Sequence, residues 1–266
     1  MPRAIISGQF SDNQIVADLE PQFSQYPANK LEFLLGAASS LDANSNSFTV
    51  TLNKGGQKVV KYNRLIIATG SSAKDGMPWK LGASAGITLD SLHELQDKIR
   101  KAQTVVVAGG GLTGAEMAGE LGFEYASQSK KEVIFIYNDM ISKTHVTDVT
   151  TEGANTIIKV RGSDGEMSSV LAQTYIPSLG LSPNTAFAPA SMRNANGYLK
   201  QMTTLQIEGH PNIFVATHFI KNLSTILSGG QMLEYSASSR KFYGFTLDRS
   251  RAIGQMGNCK LFSLLV

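Results

Sequence analysis

Thr104–Leu121, TVVVAGGGLTGAEMAGEL, is the stretch on which the reading of this chain turns. It predicts a short buried strand over Thr104–Ala108, a tight glycine turn, and a helix from about Leu112. Gly109, Gly111 and Gly114 fill the three glycine places of G-x-G-x-x-G, with Gly110, Leu112 and Thr113 between them. Each glycine has a mechanical reason. Gly109 permits the turn, Gly111 lets backbone approach a pyrophosphate, and Gly114 lets the helix lie against the strand. The helix start then offers N–H groups and a positive dipole end to an anion. A bare glycine pattern is weak evidence. Here an apolar strand precedes it, a helix follows, and a second strand is expected at Glu132–Tyr137, EVIFIY. That order predicts a βαβ dinucleotide unit. The competing reading is a glycine turn kept for packing, with nothing bound.

Size and composition bound the rest. A chain of 266 residues holds one large or two modest domains with real cores. Apolar content of 42% and charged content of 17% are ordinary for a globular protein. A net charge of +3 is too small to imply a nucleic-acid partner. Cys259 is the single cysteine, so no internal disulfide is expected and a cytoplasmic location is the default. His93, His145 and His210 have no partners at metal spacing, and no metal site is expected. No run of about 18 apolar residues is present, so no transmembrane segment is expected. The N-terminus lacks a secretory pattern. The apolar Leu261–Val266 suits docking on the core, pairing in a homodimer, or contact with a membrane surface.

Along the chain, residues 1–30 are poorly periodic and read as loop with one weak helix. Leu31–Leu35, Ser47–Leu52 and Gln57–Tyr62 read as a β-meander. Arg64–Ala68 follows as a central parallel strand that ends in Thr69-Gly70-Ser71-Ser72. A helix is expected over Asp90–Ala102, capped by Asp90 or Ser91. Only about seven residues separate Tyr137 from the next β-like run at His145, too few for a parallel crossover. A second meander is therefore expected over His145–Val149, Asn155–Val160 and Met167–Leu171. It leads into Gln173–Pro177 and the loop Ser178-Leu179-Gly180. Meander, apolar strand and small-residue loop thus occur twice, which implies two related dinucleotide-type domains. Beyond Pro183 a strand at Ile213–Ala216, a short helix at Asn222–Leu227 and a closing region at Phe242–Val266 are expected.

These stretches resemble the apoptosis-inducing-factor-like branch of the pyridine nucleotide–disulfide oxidoreductase family, near its fungal AMID and ferroptosis-suppressor members. The resemblance rests on Tyr62–Ser71, Met77-Pro78-Trp79, Thr104–Leu121, Tyr175–Thr185, Pro211–Ala216 and Gly244–Phe262, in family order. It implies FAD on one domain, NAD(P)H on the other, and hydride transfer through the flavin to quinone-like acceptors. The departures are equally specific. The first βαβ, whose glycine turn cradles the FAD pyrophosphate, has no counterpart. The Gly-Asp that grips FAD reads Thr217-His218, and the helix after it is shortened past Lys221. The acid that takes the ribose 2′-OH is replaced by Tyr137, with Asn138 and Asp139 beyond. Each lost hydrogen bond to charge forfeits roughly 1.5–3 kcal/mol, so tight FAD binding is not expected. The gaps fit either a shortened natural descendant or an incomplete gene model.

The candidate cofactor-binding residues are Gly109, Gly110, Gly111, Leu112, Thr113, Gly114, Tyr137, Asn138, Thr69, Gly70 and Gly180. By resemblance Glu116 lies close to the nicotinamide, where a carboxylate orients a carboxamide or acts as acid or base; otherwise it is a helix glutamate favoured by the dipole. His218 follows a core strand, where ligand crevices form, and could shuttle a proton; a plain loop histidine is the alternative. Glu120 reads as a surface or packing residue. Arg249 and Arg251 read as a solvated face, with an anion or subunit contact as the alternative. Cys259 beside Lys260 reads as inert, or as a thiol of lowered pKa.

The expected fold is α/β, a reduced scaffold of two dinucleotide-binding, Rossmann-like domains of flavoprotein type with β-meander insertions. Residues 1–102 read as a remnant FAD-type domain, 103–183 as an NAD(P)-type half-domain, and 184–266 as a return to the first domain with an interface segment. The expected function is an NAD(P)H-linked oxidoreductase acting on a quinone-like or apolar small molecule. The alternatives are a flavin-independent cyclase or isomerase of fungal specialised metabolism in the vacated flavin crevice, and a non-enzymatic nucleotide-binding remnant.

Overall fold

A computed structural model describes residues 2–80, 82–126, 130–137, 144–215, 225, 228–230, 232, 234, 242–246, 252–256 and 259–262. The elements in chain order begin with a 3-10 turn, Pro2–Ile5, then α1 (Asp12–Ile15), α2 (Glu20–Phe23), β1 (Gly36–Asp42), β2 (Ser47–Leu52), β3 (Gln57–Lys61), β4 (Leu65–Ile67) and β5 (Ser71–Ala73). Next come α3 (Ala85–Lys101), β6 (Thr104–Ala108), α4 (Leu112–Leu121), β7 (Glu132–Ile136), β8 (His145–Glu152), β9 (Asn155–Arg161), β10 (Met167–Ala172), β11 (Thr174–Pro177) and β12 (Leu181–Pro183). The chain closes with β13 (Gln206–Ile207), β14 (His210–Val215), β15 (Phe242–Thr246), β16 (Ala252–Met256) and β17 (Cys259–Phe262). It divides into two compact units. The first holds Met1–Ala17, Ser72–Leu181 and Ser239–Val266; the second holds Asp18–Ser71 and Ser182–Ser238.

The first unit is built on a parallel sheet in the order β11-β6-β7. Val105, Val106 and Val107 are fully buried, as a middle parallel strand covered on both faces requires. The register sets Ala108 opposite both Pro177 and Ile136, so three strands end together at the glycine turn. One face packs on α3 and α4 through Leu92, Leu95, Ile99, Met117 and Leu121. The other packs on the meander β8-β9-β10 through Ile158, Val160 and Ala172. The strand after β7 therefore enters an antiparallel meander, as the short connection predicts. A second antiparallel set, β15-β16-β17, belongs to this unit.

Two details of this unit differ from the sequence reading, and a third decides between its alternatives. The helix before β6 begins at Ala85, not Asp90, because Ser84 accepts a hydrogen bond from the Ile87 N–H and caps it. The residues before Ala17 are not merely loop: Ala4, Ile5 and Ile6 are buried in the same core as α3 and α4. Of the two readings of Glu120, surface or packing, the structure bears out packing. Glu120 is 2% exposed, and the Arg3 guanidinium holds it through Nε at 3.1 and 3.2 Å and through a terminal nitrogen at 3.1 Å. Elsewhere Lys131 Nζ donates to the carbonyls of Arg100 and Ala102, closing the C-terminal end of α3.

The second unit contains the meander β1-β2-β3 and a sheet in the order β13-β14-β4. β4 runs parallel to β14, with Ile66 opposite Phe214. It was expected to be a central strand, yet it is the edge of the described sheet, and Ile66 is 43% exposed. Leu31–Leu35 is not a strand. Phe33 instead tilts against Phe23 of α2 with ring centroids 5.2 Å apart, and the ladder is taken by the less apolar Gly36–Asp42. There a Cβ on Gly36 would stand 2.3 Å from the Thr51 carbonyl oxygen, a strand approach that only glycine allows.

Candidate functional site

The glycine turn sits at the carboxyl ends of β6, β7 and β11, where ligand crevices form in parallel sheets. Gly109 has φ +133°, and a Cβ there would stand 2.3 Å from the Ser178 carbonyl oxygen. A Cβ on Gly114 would stand 2.1 Å from the Gly109 carbonyl oxygen, so helix and strand touch through bare backbone. Gly111 is different: a Cβ there meets nothing within 4 Å. Gly110, Gly111 and Leu112 are exposed. Two of the three glycines thus serve packing, and the middle one faces open space.

That open space is set up for an anion. Gly111 is the N-cap of α4 and brings no side chain to bond the helix end, and the first turn carries no acid. The first helical hydrogen bond is Ala115 N–H to the Gly111 carbonyl, at 3.1 Å. The N–H groups of Leu112, Thr113 and Gly114 precede it and point out of the helix start. Thr113 is half-buried beside them. Glu116, half-buried, follows Leu112 by one helical turn and has no hydrogen-bond partner among the described residues.

Neighbouring strands close the rim. Gly109 N–H donates to the Ile136 carbonyl at 2.9 Å, which puts Tyr137 directly beside the turn. The Tyr137 ring stacks on Phe135, with centroids 5.0 Å apart at 20°. On the other side Ser178 N–H donates to the Ala108 carbonyl at 2.7 Å. The loop Ser178–Gly180 is then pinned twice: Asp75 accepts from Leu179 N–H at 2.9 Å, and Lys74 N–H donates to the Gly180 carbonyl at 3.1 Å. Leu112, Tyr137 and Leu179 leave an apolar border exposed around the turn. Asp75 is a positioning residue that the sequence reading missed; its signal is the Asp-Gly turn formed with Gly76.

The structure therefore brings Gly109, Gly110, Gly111, Leu112, Thr113, Gly114, Glu116, Tyr137 and Gly180 into one region of the first unit. Thr69 and Gly70 belong to the second unit. There the Thr69 hydroxyl donates to the Asn184 carbonyl at 2.7 Å, Asn184 Nδ2 donates to the Thr69 carbonyl at 3.0 Å, and Asn184 N–H donates to the Gly70 carbonyl at 3.0 Å. Asn138, Asp139, His218, Arg249 and Arg251, with Thr217 and most of Asn222–Leu227, lie outside the described residues. Cys259 is placed in β17, but its side chain lies outside them. A cavity of about 490 Å³ in the first unit is a separate feature. It is lined by Met77, Leu95, Thr156, Thr174 and Tyr175, at the amino end of β11 and away from the glycine turn. Burial, with the Asp75 charge adding to it, pushes the Tyr175 phenol pKa up.

The comparison with known proteins agrees with this geometry. Residues 3–141 match the pyridine nucleotide-disulphide oxidoreductase family. The chain belongs to that family. It is 30% identical over 304 residues to oxidoreductase ptaL of Pestalotiopsis fici, covering 100% of this chain and 81% of that protein. It is 23% identical to ferroptosis suppressor protein 1 of Taeniopygia guttata, covering 82% of this chain and 72% of that one. Among solved structures, the sulfide:quinone oxidoreductase of Aquifex aeolicus superposes with a TM-score of 0.59 at 19% identity. That match covers 81% of this chain, which spans 58% of the bacterial enzyme's length. The fold is thus a mixed α/β, Rossmann-like one of the FAD- and NAD(P)-binding oxidoreductases. In this pyridine nucleotide-disulphide family chain, no helix among the described residues is long and apolar enough to cross a membrane.

Proposed function

We propose that this chain is an NAD(P)H-linked oxidoreductase of the apoptosis-inducing-factor-like branch, acting on a quinone-like or apolar small molecule. The single observation that carries this is the open seat at Gly111, under a helix start with neither a side-chain cap nor an acid in its first turn. Family membership supports the general class, and the fungal and ferroptosis-suppressor relatives support the branch.

The residues present fit a dinucleotide. The N–H groups of Leu112, Thr113 and Gly114 would hold the pyrophosphate, each bond to charge contributing about 1.5–3 kcal/mol. Tyr137 would border the adenosine half. Leu112 and Leu179 would shield the site from water on its apolar side. Glu116 would orient the carboxamide or act as acid or base toward the acceptor. The bound cofactor supplies the hydride.

The described residues of the second unit fit FAD poorly. Among them no glycine turn opens a helix, and the Thr69-Gly70 loop spends a hydroxyl and two carbonyls on Asn184. We therefore read the flavin half as truncated and its hold on FAD as weak, with 1–102 and 184–266 descended from the flavin-type domain and 103–183 from the nucleotide-type one. The same observation favours a second reading: a flavin-independent cyclase or isomerase, in which an apolar substrate takes the place of the flavin. A cytoplasmic location and a homodimer are further parts of the proposal.

The test is titration of the purified protein with NADH, NADPH and FAD, read by calorimetry, followed by quinone reduction assays. Nucleotide binding with quinone turnover supports the oxidoreductase. No nucleotide binding, with an apolar ligand bound instead, supports the cyclase or isomerase. Near-stoichiometric flavin absorbance in the purified protein overturns the truncated-flavin reading.

A further inference from the structure

The cavity of about 490 Å³ in the first unit falls within the range of about 300–1,000 Å³ that small-molecule sites occupy. It lies at the amino end of β11, the outer strand of the sheet β11-β6-β7. Thr174 pairs with Val105 there, while Pro177 pairs with Ala108 beside the glycine turn. Three residue steps of roughly 3.3 Å, about 10 Å in all, separate the two ends of the strand, so the cavity is distinct from the nucleotide seat. Apolar side chains face it from three elements: Met77 and Pro78 before α3, Leu95 of α3, and Val149 of β8. The charged residues that line it belong to α3, where Lys98 Nζ lies 3.9 Å from Glu94 Oε2 and both side chains are exposed. Two of its polar side chains are committed within the chain. Ser91 donates to the Ile87 carbonyl, and Gln173 spends its amide on Gln103, Thr104 and Asn155. Tyr175 is not committed: it is half-buried, and its phenol has no hydrogen-bond partner among the described residues. Thr174 beside it is 4% exposed, and its buried hydroxyl also has none.

We propose that this cavity binds a neutral carbonyl compound with an apolar body, held by a hydrogen bond from the Tyr175 hydroxyl to the carbonyl oxygen. The site is independent of the nucleotide reading of the glycine turn. Apolar contact with Met77, Leu95 and Val149 supplies affinity, and the one uncommitted phenol fixes orientation. The phenol keeps its proton at neutral pH, because burial first, and the Asp75 charge second, push its pKa up. It therefore donates, and the ligand group that meets it is an acceptor. The Asp75 charge also opposes a carboxylate at this hydroxyl, while Glu94 and Lys98, of opposite sign and side by side, leave α3 no net charge at the cavity to attract one. The orphaned Thr174 hydroxyl marks the same end of β11 as a place where the chain alone does not complete its hydrogen bonding.

The experiment titrates the native protein with 2-acetylnaphthalene, 2-ethylnaphthalene and 2-naphthoate, which join one ring system to a ketone, a hydrocarbon or a carboxylate. Fluorescence of Trp79, the single tryptophan, reads occupancy, since it follows Pro78 of the cavity wall. Saturable binding of the ketone is expected, at least about tenfold tighter than the carboxylate. Tyr175→Phe should weaken the ketone at least about fivefold and change the hydrocarbon less than about twofold. Val149→Phe, which fills the cavity, should weaken both at least about tenfold. Far-UV circular dichroism checks each variant for folding, and Thr151→Phe, on the same hairpin and also lining the cavity, stands in should Val149→Phe misfold. Gly111→Asp should leave ketone binding unchanged. Absence of saturable ketone binding overturns the inference, as does a carboxylate that binds as tightly as the ketone. A Tyr175→Phe variant that binds the ketone as well as the native chain overturns it too. Ketone binding lost in Gly111→Asp and kept in Val149→Phe would put the ligand at the glycine turn, overturning the cavity site and leaving the nucleotide seat standing.

Discussion

Two of the glycine-bearing loops that follow a parallel strand, those after β6 and β4, end differently. After β6, Gly109–Gly111 runs into a ten-residue helix whose first N–H groups have no side-chain cap. After β4, Thr69-Gly70 runs into β5, and its hydroxyl and carbonyl groups are tied to Asn184. Both glycine turns bend with positive φ, +133° at Gly109 and +64° at Gly70. Glycine content therefore does not make an anion seat. The seat comes from a helix start that leaves donors unspent, beside one glycine with nothing near it.

The comparison can be broken most forcefully at the packing glycines. Gly109→Val and Gly114→Val drive a side chain into backbone oxygens that a Cβ would already approach to 2.3 and 2.1 Å. Each is expected to cost at least about 3 kcal/mol, read as a large drop in melting temperature or loss of soluble protein. Next in size is Gly111→Asp. Its Cβ has room, so the melting temperature should stay within about 2 °C. The carboxylate occupies the seat and repels phosphate, so nucleotide affinity should fall more than about tenfold, or 1.4 kcal/mol. If Gly111→Asp melted as early as Gly114→Val, the distinction between packing glycines and the open one would fail. The smallest effect belongs to the other loop. Asn184→Ala removes one hydrogen bond to the Thr69 carbonyl and should cost about 1 kcal/mol of stability. It should leave nucleotide affinity unchanged, and a loss of affinity there would mean that the second loop also takes part.

The strand–turn–helix around Gly109–Gly114 was legible because each residue type has a local cause. Three valines in a row make a buried strand, and the glycines mark where backbone meets backbone. The meanders were legible from β-like runs broken by Gly and Asn. Other features were hidden for physical reasons. The docking of Ile5 and Ile6 comes from a single 3-10 turn, too short for any periodic signal. The apolar run Leu31–Leu35 mimicked a strand, but its phenylalanine is taken by α2, and the ladder falls to Gly36–Asp42. The seat's glycines were readable, whereas the pinning of the Ser178–Gly180 loop by Asp75 depends on a pairing 104 residues apart in sequence, which no local pattern encodes.

The central claim is that the open glycine under the start of α4 is a nucleotide phosphate seat. The most direct measurement is a calorimetric titration of NADPH into the native protein and into Gly111→Asp, with melting temperatures taken on the same samples. The account predicts saturable one-site binding to the native protein and a loss of more than about tenfold in a variant that melts normally. Native protein that gives no heat of binding, or a variant that binds as tightly as the native chain, would contradict it.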